Sequence, residues 1–158
     1  MATQTYVALA TTTLASATGS ITFSSIPATY RDLVLVVSFQ TSTDTSLFVR
    51  FNSDSGSNYS LVRMWGTGSS TASDSQTQTY ADMEAGTTSG QINTSILQIM
   101  DYSATDKHKT ILYRSNQNLV AAGAQRWANT SAINNISIDT SIGTFNVGTT
   151  FSLFGIEA

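Results

Sequence analysis

The amino-acid sequence predicts an all-β protein, an antiparallel β-sandwich of jelly-roll type with little helix. Three observations carry this. Apolar residues recur at every second position in short runs, as in Leu33, Leu35, Val37 and Phe39 or in Leu47, Val49 and Phe51, the spacing that lines one face of a strand. Ser and Thr supply 48 of the 158 residues, and threonine is a good strand former. No window holds a capped apolar stripe of 3.6-residue period, so helix is expected below about 10%, well under the usual third.

The elements follow in chain order. Residues 1–14 form an N-terminal arm or edge strand that begins at 5–10, and further strands fall at 20–23, 33–39, 47–51 and 60–65. The run at 33–39 also carries Val34 and Val36 on its second face, as a central strand covered on both sides would. The only proline, Pro27, fixes its own backbone and biases Ile26 to an extended form, so 26–30 reads as a turn able to open a single helical turn. Asn52, Asp54, Gly56 and Asn58 make 52–58 a turn. Residues 66–79, reading GTGSSTASDSQTQT, have no apolar anchor and are expected to form a flexible loop. Strands resume at 92–100, 109–115, 133–140 and 149–156. The expected core comprises Leu33, Leu35, Val37, Val49, Phe51, Ile111, Ile136, Leu153 and Phe154. With no linker and no internal repeat, 1–158 reads as a single domain.

Composition narrows the function classes. Hydrophobic residues make up 41% and charged residues 11%, with a net charge of −3 and a pI near 4.7. The seven basic residues are scattered from Arg31 to Arg126, so no cluster exists to displace counterions from a nucleic acid. The longest aliphatic run, residues 33–37, is far shorter than the ~20 residues of a membrane span. No basic and apolar leader opens the sequence, which is the expectation for a chain made in the cytoplasm. The absence of cysteine excludes disulfides and thiolate metal ligands.

Catalytic constellations are sparse. The only histidine, His108, sits between Lys107 and Lys109, whose charge disfavours imidazolium. No G-x-S-x-G elbow accompanies it. Gly66-Thr67-Gly68 begins like a phosphate loop, but no G-K-[ST] follows. Asp82 and Glu84 could share one strand face, where like charges raise a carboxyl pKa; a solvated strand edge is the plainer reading. Asn52, Asp54, Gly56 and Asn58 have the alternating oxygens of a calcium loop without its terminal glutamate. The expectation is therefore no enzyme, no cofactor and no metal. Aromatic anchors remain: Tyr6, Trp65, Arg126 and Trp127 are the candidate partner-interface residues, with core packing the competing role for the tryptophans.

The segment Ile21-Thr22-Phe23-Ser24-Ser25-Ile26-Pro27-Ala28-Thr29-Tyr30-Arg31-Asp32-Leu33-Val34-Leu35 resembles small virion structural proteins of tailed phages, of cyanophage and marine phage type. The resemblance continues through residues 51–60, Asp101-Tyr102-Ser103, Lys109-Thr110, Trp127 and Ala132-Ile133, and closes on Ser152-Leu153-Phe154-Gly155-Ile156, where such proteins more often end in Leu-Tyr-Gly-Ile. It implies a β-sandwich virion part without catalytic residues, on the head or on the tail. The expected function is a capsid decoration, or cement, protein that binds the major capsid protein on the outer shell. Closed homotrimers are expected, joined through residues 3–14 and Arg126-Trp127. The alternatives are a tail or fibre tip module that binds host glycan, and a carbohydrate-binding module outside any phage.

Overall fold

The computed structural model describes residues 5–83, 87–116 and 119–157. In chain order its strands are β1 (Tyr6–Thr13), β2 (Ser20–Ser24), β3 (Asp32–Phe39), β4 (Leu47–Phe51), β5 (Tyr59–Gly66) and β6 (Thr71–Gln78). They continue with β7 (Ala81–Asp82), β8 (Asn93–Met100), β9 (Lys109–Asn116), β10 (Val120–Trp127), β11 (Asn135–Thr140) and β12 (Thr150–Ile156). Among the described residues there is no helix. An eight-stranded antiparallel sheet runs β1-β12-β3-β8-β9-β10-β5-β6, and a four-stranded sheet runs β2-β11-β4-β7. The two pack as a jelly-roll-like sandwich.

The period-two pattern explains the core. Leu33, Leu35, Val37, Leu97, Ile99, Ile111 and Leu153 project from one face of the large sheet and are buried against Phe23, Val49, Phe51, Ile136 and Ile138 of the small one. Phe154 is the one expected core residue left half-buried. It follows Leu153 in β12, and successive side chains point to opposite faces. Aromatic rings close both ends: Phe51, Tyr59 and Trp127 lie with centroids 5.5–6.3 Å apart at one, and Phe39, Phe145 and Phe151 meet edge-on at the other.

The structure corrects two expectations and specifies a third. Residues 66–79 are not a loop: β6 pairs with β5 over its whole length, from Tyr59↔Gln78 to Gly66↔Thr71. The hairpin turns at 67–70, where Thr67 N–H donates to Ser70 O at 3.0 Å and Gly68 takes a positive φ of 88°. Both faces of β6 are largely exposed, so no apolar alternation marks it. Residues 26–30 form no helical turn. Their backbone groups bond across the sandwich instead, Ile26 N–H to Asn134 O at 3.0 Å and Pro27 O to the Tyr102 hydroxyl. Residues 6–13 form the edge strand expected at the N-terminus, paired on one side with β12 and bulged between Ala8 and Ala10. Residues 1–4 of the expected arm lie outside the described residues.

Candidate functional site

The two sheets pack inner face to inner face, so the eight-stranded sheet keeps a wide outer face uncovered among the described residues. In β10, the outward residues are Val120, Ala122, Ala124 and Arg126. Strand register sets Ala124 between Leu112 and Val62, and Ala122 between Arg114 and Met64. The short alanines make a floor, and the longer side chains of β9 and β5 rise on either side. The result is a concave depression of about 670 Å³ reaching from Ile96 and Gln98 on β8 to Ser73 on β6. Its apolar walls are open to solvent: Val62 is 62% exposed, Met64 66%, Leu112 41% and the adjoining Val120 69%. An apolar stretch of this kind on a protein surface is a mark of an interaction site.

Two cations share this face. Arg114 stands in the row of Ala122 and Met64, and Arg126 stands between Thr110 and Ser60. Both are exposed, and neither makes an ion pair among the described residues. In a chain of net charge −3, the outer face thus combines apolar side chains with uncompensated positive charge.

The opposite, inner face at the same strands holds a closed polar cluster. Arg63 on β5 donates from Nε to Asp74 Oδ1 of β6 at 2.8 Å, and from a terminal nitrogen to Asp82 Oδ2 of β7 at 2.7 Å. Gln125 accepts from Asp82 N–H and donates to Asp82 O, both at 2.7 Å. Burial pushes the Asp82 carboxyl up, against the pull of Arg63, while the hydrogen bond from Arg63 holds Asp74 down. The guanidinium lies 5.1 Å from the Trp65 ring centroid, a cation–π distance. This cluster ties the edge of the small sheet to β5 and β6. The acidic pair expected at 82 and 84 is represented by Asp82 alone, because Glu84 lies outside the described residues.

The four interface residues expected from sequence do not converge. Tyr6 is exposed on the edge strand β1, whereas Trp65 is half-buried near the opposite edge. Arg126 and Trp127 point to opposite faces of β10. Arg126 joins the outer face, but Trp127 is fully buried and belongs to the core. His108 is exposed. The calcium-like turn is closed by protein donors, since Asp54 accepts from Gly56 N–H at 2.8 Å, Asn58 Nδ2 at 2.9 Å and Trp127 Nε1 at 2.7 Å. Val62, Met64, Leu112, Ala122 and Ala124 were not gathered into a site from sequence because residues 120–127, VAAGAQRW, hold a single β-branched residue, Val120, among alanines and a glycine and do not read as a strand.

Residues that carried the family resemblance act as staples between elements. Asn52 accepts from Asn134 and Asn135 N–H and donates to Ala132 O at 2.8 Å. Tyr102 holds the Pro27 carbonyl and accepts from Tyr30 N–H, and Asp32 accepts from Asp101 N–H at 3.0 Å. Gly155 leaves room for the Tyr30 ring, whose Cγ would lie 2.4 Å from an added Cβ.

No family model and no curated protein matches the chain. Among solved structures it is similar to alginate lyase Aly36B, at 14% identity and a TM-score of 0.36 over 92% of this chain and 77% of that one. A mutant of that lyase in complex with alginate trisaccharide gives 11% identity and 0.33, over 81% and 72%. Another, with alginate tetrasaccharide, gives 14% and 0.29, over 82% and 70%. These structures are of enzymes, and the expectation that the chain is not an enzyme is withdrawn on that finding. At such TM-scores the likeness assigns no catalytic residue and no substrate to this chain.

Proposed function

We propose that this chain is a structural module of a phage virion, a decoration protein that docks on the major capsid protein through the outer face of its large sheet. The observation that carries docking is the exposed stripe Val62, Met64, Leu112 and Val120 over the alanine floor, flanked by Arg114 and Arg126. The resemblance of its staple residues to phage virion proteins supplies the setting. Burying the stripe against an apolar ridge would contribute roughly 25 cal/mol per Å² of apolar surface removed from water. Carboxylates beside that ridge would meet the two arginines, favouring fast and selective encounter. The glycan-binding alternatives have less support, because a sugar platform needs an open aromatic face; Trp127 is buried and Trp65 lies under Arg63.

The test is cross-linking and mass spectrometry on purified particles of the parent phage. Cross-links from the Arg114 and Arg126 face to acidic segments of the major capsid protein are expected. Cross-links confined to tail components, or absence of the chain from the particle, would overturn the reading.

A further inference from the structure

A second surface of the large sheet is unpartnered, and it lies at an edge. Strand β6 closes the eight-stranded sheet on one side, and among the described residues only β5 pairs with it. An outer strand turns half of its backbone N–H and C=O groups away from the sheet, which makes it a template for another strand. Edge strands are commonly protected by a bulge, a proline, an outward lysine or an inward-pointing charge. The other edge, β1, has such a bulge. Strand β6, reading TASDSQTQ, has no bulge, proline or lysine, and its register with β5 runs unbroken for eight pairs. Its single inward charge, Asp74, is already paired with Arg63 of its own chain, so it presents no unpaired charge to an incoming strand.

Strand β6 also contributes no apolar side chain to the core and is exposed on both faces over most of its length. It projects as a flange, because the small sheet ends at β7, whose Asp82 reaches Arg63 of β5. A second strand can therefore lie beside it in the plane of the large sheet.

We infer that β6 pairs antiparallel with β6 of a second copy of this chain across a twofold axis, joining two eight-stranded sheets into one. The strand's own sequence selects this occupant. A twofold axis perpendicular to the sheet matches inward residues with inward and outward with outward, so it must pass through a residue pair of equal number. Centred on Asp74, it would set two carboxylates directly opposite, which is unfavourable. Centred on Ser75, it pairs Ser73 with Thr77 and Ala72 with Gln78 and sets each Asp74 against Gln76 of the other copy. Gln76 already donates to Asp74 at 2.8 Å within one chain, so this opposition joins groups that hydrogen-bond to each other. The interface is isologous, as in most homodimers. It also sets two outer depressions side by side, since each extends to Ser73. This inference does not depend on the capsid reading.

Size-exclusion chromatography with light scattering on the free protein tests it. The wild-type chain is expected to run as a dimer of about 34 kDa, twice 16.8 kDa. Ser75→Lys and Ser75→Glu each set like charges opposite across the axis, and each is expected to be monomeric while keeping the wild-type circular dichroism spectrum. Mixed one to one, the two variants are expected to recover the dimer, because lysine then faces glutamate. A monomeric wild type at millimolar concentration, a trimer, a dimer that survives both substitutions, or variants that stay monomeric when mixed would overturn the inference.

Discussion

The indole N–H of Trp127 donates to Oδ2 of Asp54 at 2.7 Å, joining the end of β10 in the large sheet to the turn after β4 in the small one. Trp127 is the largest of the fully buried side chains, stacked on Tyr59 and tilted against Phe51. A tryptophan is buried at low cost only if its N–H finds an acceptor. Asp54 provides that acceptor from a turn whose backbone it also organises through Gly56 and Asn58. Trp127→Phe is therefore expected to destabilise the fold by about 2–3 kcal/mol, from lost volume and a lost hydrogen bond to a charged group. Denaturant unfolding of Trp127→Phe, Asp54→Asn and the double variant checks it; additive single effects would show that the pair is not coupled.

The same carboxylate sets an acid limit. Partial burial opposes its charge, but hydrogen bonds from Asn58, Trp127 and Gly56 outweigh this and hold Asp54 below its ordinary value of 3.8. A carboxyl depressed in the folded state contributes stability that is complete above the unfolded pKa and is lost as pH falls through the folded one. Stability is thus expected to fall below about pH 4, with a shallower fall in Asp54→Asn. Thermal melts of both proteins from pH 2 to 6 report the difference, and parallel curves would exclude Asp54 as a source.

Lys109 is fully buried, and its ammonium donates to the carbonyls of Ala104, Lys107 and Thr130 at 2.7, 3.0 and 3.2 Å. Burial pulls its pKa below the usual lysine value, while the three carbonyls satisfy its three donors. Lys109→Met keeps the apolar stem and strands those carbonyls. A loss of about 3 kcal/mol is expected, on the order of one or two unsatisfied buried groups. Equal stability of Lys109→Met and wild type in urea would mean that water replaces the ammonium.

How far the sequence could be read divides along side-chain packing. Nine of the strands were legible, most of them because their residues alternate between core and a more exposed face, as in β4 with Leu47, Val49 and Phe51 buried and Phe48 and Arg50 half-buried. Of the other three, β7 has only two residues and can show no period, while β6 and β10 were not legible for reasons of packing. Strand β6 buries no apolar face, and β10 is rich in alanine and a glycine whose absent Cβ admits the Tyr113 ring, 2.3 Å from where that atom would stand. The candidate site was missed for the same reason, since its floor is β10. An exposed valine beside an alanine has no signature until strand register places both on one face. Trp127 stayed open between core and interface because composition does not tell a core ring from an interface ring, and the structure settles it in the core.

The packing at Gly123 gives a direct check on that strand. Tyr113 Cε1 occupies the space of a Cβ, and its Cδ1 and Cζ would lie 3.0 Å from that atom. Both residues belong to the inner face and are paired in register. Gly123→Ala is expected to cost about 1–3 kcal/mol, the range for overpacking a well-packed interior. Combining it with Tyr113→Leu, which removes the ring edge, is expected to recover part of that loss. A Gly123→Ala protein as stable as wild type in urea would show that the ring swings aside freely.

The outer face separates stability from docking. Val62 and Met64 are exposed in the free chain, so polar replacements there remove few contacts and should change stability by no more than about 0.5 kcal/mol. Val62→Asp with Met64→Asp would nevertheless put two carboxylates into the apolar depression, where docking would bury them unpaired. It would also neutralise the positive field of Arg114 and Arg126. Binding to purified parent shells stripped of the chain is expected to fall at least a hundredfold in the double variant, with an unchanged melting temperature. Arg114→Ala with Arg126→Ala should mainly slow association and flatten its salt dependence, because charges at the rim of a contact act on encounter more than on the bound state. A double aspartate variant that binds like wild type would place the contact elsewhere on the sandwich, with Tyr6 and the β1 edge as the next surface to test.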